Sequence, residues 1–261
     1  MAEWDPAAYL VFERQRTQPS IDLAARVDVS APGRIIDIGC GPGNSTAVLA
    51  KRWPEVELVG LDNSPAMLDQ AKAVLPHVKW VLADATGDLG FLGKFDLVFS
   101  NAVIQWISDQ EAVLASMFGL LRPGGVMAVQ VPDTDEMPVH TALVELLAQP
   151  HWQALLGDVP NTYTIHRAAW YYDVASALAD SVDLWVTQYM PAMASHDAIV
   201  EWYRGTGLRP YLERLTDQDS RAEFLEQYRS LIVDAYPVRR DGKVLFPFHR
   251  VFFLARAKWS G

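Results

Sequence analysis

The stretch Arg34-Ile35-Ile36-Asp37-Ile38-Gly39-Cys40-Gly41-Pro42-Gly43-Asn44 decides how the first half of the chain is read. Arg34–Ile38 is a short apolar run of strand character, and the glycines after it demand a turn. Ser45 to Trp53 follows with helical spacing (Val48, Leu49, Arg52, Trp53) and stops at Pro54. A strand, a glycine turn and a helix in succession open a parallel α/β unit. Glycines in such a turn let the backbone take positive φ and approach a bound molecule closely.

Working outward, the alternation continues. Val56 to Leu61 reads as a second strand. Ser64 caps a helix that has Pro65 at its first position and runs through Ala73. Val78 to Ala83 and Phe95 to Ser100 are the third and fourth strands. Gln110 to Leu121 is a helix, Pro123-Gly124-Gly125 breaks it, and Val126 to Val131 is a fifth strand. Strands and helices joined by short connections imply a doubly wound, mostly parallel sheet with right-handed crossovers. The strands are nearly unbroken apolar runs, as expected when helices cover both faces.

The second half changes character. Pro138 to Ala148 and Arg167 to Leu178 read as helices, and Val182 to Tyr189 as a strand. His196 to Tyr236 is helical, rich in Trp, Tyr and Arg, and broken at Gly205, Gly207 and Pro210. Phe248 to Lys258 is a last strand, expected antiparallel beside Val182–Tyr189, which makes the helical stretch between them a cap insertion. The expected organisation is one domain over 1–261. It has an N-terminal helical segment (1–30), a cofactor-binding core (33–132) and a C-terminal part (133–261) whose cap spans about 195–240.

The bulk numbers exclude several functions. The chain has 261 residues, half of them apolar, and a formal net charge of −10. That acidity argues against non-specific nucleic-acid binding, which needs clustered Lys and Arg. It also repels an anionic substrate unless the pocket is locally basic. Cys40 is the one cysteine, so there is no disulfide framework and no cysteine metal site. The histidines, His77, His140 and His166 among them, lack ligand spacing, and no metal is expected. The opening Met1-Ala2-Glu3-Trp4-Asp5 is unlike a signal peptide, and no apolar run of about 18 residues occurs. A cytoplasmic location is expected, with no membrane, nucleic-acid or protein partner implied.

In an open parallel sheet, ligands bind beyond the carboxyl ends of the strands, where strand order reverses. The Gly39–Asn44 loop ends the first strand, Asp62 the second, Asp84-Ala85 the third and Asn101 the fourth. A carboxylate at Asp62, 19 residues after Gly43, can accept both hydroxyls of a ribose. A dinucleotide site asks for G-x-G-x-x-G, but the spacing here is G-x-G-x-G, with Asn44 at the third glycine's place. Asp37 would repel a pyrophosphate, whereas it suits a cationic cofactor or its ammonium group. These features favour a sulfonium nucleoside carrying an amino acid. An NAD-dependent oxidoreductase or a non-catalytic nucleotide-binding module is the alternative outside that class. Cys40 reads as a small filler of the turn, since no histidine partner is evident.

From about residue 33 to 132 this constellation resembles the Rossmann-like S-adenosylmethionine-dependent methyltransferases. The resemblance implies that Asp37, Gly39, Gly41 and Gly43 form the loop on the methionine side of the cofactor. It makes Asp62 the ribose carboxylate, with Asn63 and Met67 its neighbours over adenine, and Asp84-Ala85 the adenine-edge contact. Asn101 and Gln105 become contacts near the methionine moiety. Leu121-Arg122-Pro123-Gly124-Gly125 resembles the turn before strand five. Enzymes of this kind end in an antiparallel strand pair, and a seven-stranded sheet is implied.

The flanks resemble one subgroup of these enzymes, which methylates trans-aconitate on a carboxylate. The resemblance lies in Trp4-Asp5-Pro6, Tyr9-Leu10, Phe12 and Arg16, in Glu201 to Pro210, and in Ala235-Tyr236-Pro237 with Gly242 to Phe248. It implies a methyl ester as product and a small tricarboxylate as partner. Another acid or a phenol is the alternative acceptor. A carboxylate is ionised at pH 7, so no general base and no catalytic residue of that kind is expected. Alignment, partial desolvation and counter-charge must supply the rate instead. Arg and hydroxyl donors suit a trianion, and the candidates are Tyr9, Arg16, Tyr203, Arg204 and Arg209. Arg204 and Arg209 bracket a Gly-Thr-Gly break, while Trp202 and Trp170 read as core aromatics.

Overall fold

The computed structural model describes residues 13–160 and 163–259. The chain forms two compact units. Among the described residues, one contains 14–132, 166–187 and 250–259; the other contains 13, 133–160, 163–165 and 188–249.

The first unit holds a seven-stranded sheet of order β3-β2-β1-β4-β5-β9-β6. Its strands are β1 (Arg34–Ile38), β2 (Glu57–Asp62), β3 (Lys79–Leu82), β4 (Phe95–Asn101), β5 (Leu121–Asp133), β6 (Ser181–Tyr189) and β9 (Phe248–Arg256). β1 pairs in parallel with β2 and with β4, β2 with β3, and β4 with β5. The last strand runs antiparallel to both its neighbours. The end of β9 meets the beginning of β5, where Ala257 N donates to Gly125 O (2.9 Å). It also meets the beginning of β6, where Asp180 N donates to Arg256 O (2.9 Å). This is the mostly parallel seven-stranded sheet expected from the sequence, with its antiparallel last strand.

The burial follows from the sequence. β1 and β4, in the middle of the sheet, are almost entirely buried, while the edge strands β3 and β6 are partly exposed. Ile36, Ile38, Val98, Phe95, Met127 and Val129 form the centre of a continuous apolar core. Helices α1 (Glu13–Arg26), α2 (Asn44–Arg52), α3 (Pro65–Val74), α4 (Gln110–Gly119) and α7 (Ala168–Leu178) belong to this unit. The cap of α3 is as expected, with Ser64 accepting from Met67 N.

Pro123-Gly124-Gly125 does not interrupt the fifth strand, which extends from Leu121. Phe95 of β4 pairs with Leu121 but Leu97 pairs with Val126, so residues 122–125 stand opposite Asp96 alone. Asp96 stabilises this bulge, accepting from Gly33 N, Arg34 N and Arg122 Nη1 at 2.8 Å each. A bulge keeps the strand going where the local residues signal a stop.

The second unit carries α5 (Pro138–Leu147), α6 (Pro150–Leu156), α8 (His196–Arg204), α9 (Arg209–Arg214) and α10 (Gln218–Val233), with the short antiparallel pair β7 (Ala192–Met193) and β8 (Val244–Leu245). Pro210 starts α9 rather than breaking a helix, a position where its missing N–H costs nothing. The next break falls at Leu215–Asp217, and Asp217 caps α10 by accepting from Ser220 N (2.7 Å). The core is aromatic: Trp152 meets Phe224 edge-on with centroids 5.1 Å apart, and Trp202 meets Phe246 at 6.0 Å. Among the described residues no helix is long and apolar enough to cross a membrane.

Candidate cofactor and acceptor sites

β1 lies between β2 and β4, so strand order reverses beside it, at the place where such sheets bind ligands. Gly39 N and Cys40 N both donate to Leu61 O (2.7 and 3.0 Å), which pins the loop to the end of β2. Gly39 has φ +69°, and a Cβ there would lie 2.4 Å from Val103 Cγ2. Gly41 has φ +53°, but a Cβ there would meet nothing within 4 Å. One glycine is therefore required by packing and the other leaves open space beside the turn.

Asp37 is fully buried beneath this loop. Its Oδ2 accepts from Ser45 Oγ and Thr46 Oγ1, both at 2.7 Å. Its Oδ1 is buried with no hydrogen-bond partner. Burial pushes the carboxyl up to about 7, against the two hydroxyl bonds that pull it down, and Asp62 adds to the rise. Asp62 holds the loop as well as ending β2: Oδ2 accepts from Gly41 N and Oδ1 from Ser64 N, each at 2.9 Å. Each oxygen retains a second lone pair.

At the end of β4, Ala102 takes φ +58°, uncommon for a residue with a side chain. Gln105 Nε2 donates to Ala102 O (2.7 Å), leaving Gln105 Oε1 buried without a partner. Asn101 Oδ1 is in the same condition. Three buried acceptors at the ends of β1 and β4 thus await donors, and a buried acceptor without one is costly. An ammonium group, with three N–H donors, matches that set in charge and in kind. A pyrophosphate would add only further acceptors.

A family model described as a methyltransferase domain matches residues 35–125. The trans-aconitate 2-methyltransferase of Methylobacterium radiotolerans is 47% identical over 98% of this chain and 99% of its own. The chain belongs to the trans-aconitate 2-methyltransferase family. Two solved structures share the fold. The YcgJ protein of Bacillus subtilis has a TM-score of 0.61 at 16% identity, covering 93% of this chain and 100% of its own. A Haemonchus contortus phosphoethanolamine N-methyltransferase 2, solved with S-adenosylhomocysteine, has a TM-score of 0.54 at 17% identity, covering 92% of this chain and 52% of its own.

The loop residues Asp37, Gly39, Gly41 and Gly43, together with Asp62, Asn63, Met67, Asp84, Ala85, Asn101 and Gln105, all lie in the α/β unit of this family member. Met67 and Ala85 are buried, while Asn63 and Asp84 are exposed. Asp84 closes a turn in which Oδ1 accepts from Thr86 N and Oγ1, both 2.8 Å, and these bonds hold its carboxyl below the usual range. Cys40 is buried at 3% exposure, and burial, with Asp37 and Asp62 nearby, pushes its thiol far up. An un-ionised thiol is a filler here, not a nucleophile.

Arg16 lies on α1, half-buried. Tyr9 lies outside the described residues. Tyr203, Arg204 and Arg209 lie in the second unit. Tyr203 is buried, whereas Arg204 pairs with Glu201 (3.1 Å) and Arg209 with Glu213 (2.7 Å). Sequence reading passed over three features. Ser45 and Thr46 hold Asp37 as hydroxyl donors, though their place eight and nine residues on, at the start of a helix, was visible. His140 had no motif to mark it. Trp80, whose ring lies 3.3 Å from a Cβ at Gly43 and 2.3 Å from one at Gly60, packs behind the loop. Among the described residues no group of three His, Cys, Asp or Glu side chains is placed to hold a metal ion.

Proposed function

We propose that this protein transfers a methyl group from S-adenosylmethionine to a carboxylate of trans-aconitate, giving the monomethyl ester and S-adenosylhomocysteine. The observation that carries the reading is full-length identity of 47% to a trans-aconitate 2-methyltransferase. The fold by itself would leave the acceptor open.

When bound, S-adenosylmethionine would supply a sulfonium methyl group for transfer by in-line displacement. Asp37, Asn101 and Gln105 hold the amino-acid end through their unsatisfied oxygens. Asp62 keeps the loop closed and offers its remaining lone pairs to the ribose hydroxyls. Asn63, Met67, Asp84 and Ala85 border the adenine, and Gly39, Gly41 and Gly43 let the loop backbone approach the cofactor. The acceptor needs no base, because a carboxylate is ionised at neutral pH. Tyr203, Arg204 and Arg209, all in the second unit, supply donors and positive charge to the acid. Rate then comes from alignment and partial desolvation of the carboxylate.

The test is methyl transfer from labelled cofactor to a panel of acids and phenols. Transfer to trans-aconitate above the rest supports the reading. Transfer only to a phenol or a different acid overturns it.

A further inference from the structure

We propose that His140 and Tyr203 form a carboxylate-reading pair in the second unit, with Tyr203 Oη donating to an acceptor carboxylate and His140 setting the direction of that hydroxyl. The inference rests on the acid-acceptor reading above and names the contact that would make it specific.

Tyr203 Oη lies 3.5 Å from His140 Nδ1, its hydrogen-bond partner among the described residues. That distance is at the outer limit of a hydrogen bond, and the phenol is only 4% exposed. A buried hydroxyl so weakly engaged has donor capacity to spare, and contacts of this kind shorten when a ligand binds. Thr134 Oγ1, buried on the segment that leads into α5, also lacks a partner.

The surroundings hold the pair in place. Tyr228 Oη donates to Val139 O (2.8 Å) and Val139 N donates to Tyr236 Oη (3.3 Å). Both backbone groups of the residue before His140 are thereby fixed in the first turn of α5. The Tyr203 and Tyr228 rings stack with centroids 6.1 Å apart and planes 6° from parallel. Gly207 presses on the hydroxyl end: a Cβ there would fall 2.4 Å from Tyr203 Cζ and 2.7 Å from its Oη. Burial holds the His140 imidazole below its ordinary range, so it is neutral at pH 7 even though Asp135 opposes the shift. The tautomer with hydrogen on Nδ1 donates to Tyr203 Oη and leaves the phenol's own hydrogen to point onward. Purely apolar packing would be served by Phe at 203.

Four arginines of this unit are already engaged in ion pairs. Arg204, Arg209, Arg214 and Arg229 are held by Glu201, Glu213, Asp158 and Asp197. The Tyr203 phenol is buried and the His140 imidazole beside it is half-buried.

The test compares Tyr203→Phe, His140→Phe and His140→Asn, whose amide nitrogen can stand where Nδ1 does. Expected are a KM for trans-aconitate raised at least tenfold in the two Phe variants, S-adenosylhomocysteine affinity within twofold of wild type, and substantial recovery in His140→Asn. A folded Tyr203→Phe with unchanged KM overturns the proposal, as does an equal loss of cofactor affinity in all three. Should a variant fail to fold, nitrogen-labelled wild-type protein decides. The His140 imidazole signals should shift on adding trans-aconitate and not on adding S-adenosylhomocysteine alone, and no shift with trans-aconitate rejects the pair. Failure of the wild type to methylate trans-aconitate would instead count against the function itself.

Discussion

Replacing Asp37 by Asn separates what the buried carboxylate costs the fold from what it gives the cofactor. Asn has the same shape, and its oxygen can accept from Ser45 and Thr46 as Asp37 Oδ2 does. The carboxyl moves from an ordinary 3.8 to about 7 on burial. A raised folded value means that the unfolded chain releases this proton first as pH rises. The group's contribution is therefore fully present below about pH 4 and is lost progressively as pH climbs through 7. At about 1.36 kcal/mol per pH unit, burying Asp37 costs the ligand-free protein about 4 kcal/mol at pH 8 and about 1.6 kcal/mol at pH 5. At roughly 2–4 °C per kcal/mol for a chain of this size, Asp37→Asn should raise Tm by on the order of 10 °C at pH 8 and by about half that at pH 5. The same change should weaken S-adenosylmethionine at least tenfold, because the ammonium loses its anion. Thermal unfolding at the two pH values, with cofactor titration alongside, measures both effects. An equal Tm difference at pH 5 and pH 8, or cofactor affinity like the wild type's, would refute the reasoning.

Other expectations follow from the same geometry. Asp62→Ala frees Gly41 N and Ser64 N as well as a ribose acceptor, so S-adenosylhomocysteine should bind at least tenfold more weakly; tryptophan fluorescence, with Trp80 behind the loop, can follow it. Gly39→Ala drives a methyl group into Val103 and should unfold the loop, lowering Tm by several degrees, while Gly41→Ala meets no protein atom and should mainly weaken cofactor binding. Comparable Tm losses in the two glycine variants would count against the distinction. Arg204→Ala and Arg209→Ala should raise the KM for trans-aconitate and leave cofactor affinity nearly intact; unchanged kinetics in both would remove them from the acceptor site.

The sheet was readable because its signals are local. Arg34–Ile38 ends in glycines that only a turn accommodates, and Ser64-Pro65 announces its helix by cap chemistry. The bulge at Arg122–Gly125 was not readable, because Asp96, 26 residues before Arg122, holds the strand together across it. The break at Leu215–Asp217 was missed although Asp217 is a good cap, since no Gly or Pro marks it. Within the candidate site, spacing singled out Asp37 and the glycines. It concealed that Asp62 is also the anchor of the loop, because that role depends on a fold-wide contact with Gly41 N. The proposed acceptor pair is less legible still. His140 and Tyr203 stand 63 positions apart, and only packing brings them together.

The central claim is tested most directly by incubating the protein with labelled S-adenosylmethionine and trans-aconitate and identifying the product. The account predicts a labelled monomethyl ester of trans-aconitate, formed together with S-adenosylhomocysteine and absent without the acid. Efficient labelling of another acid or of a phenol, with trans-aconitate left unmodified, would contradict it.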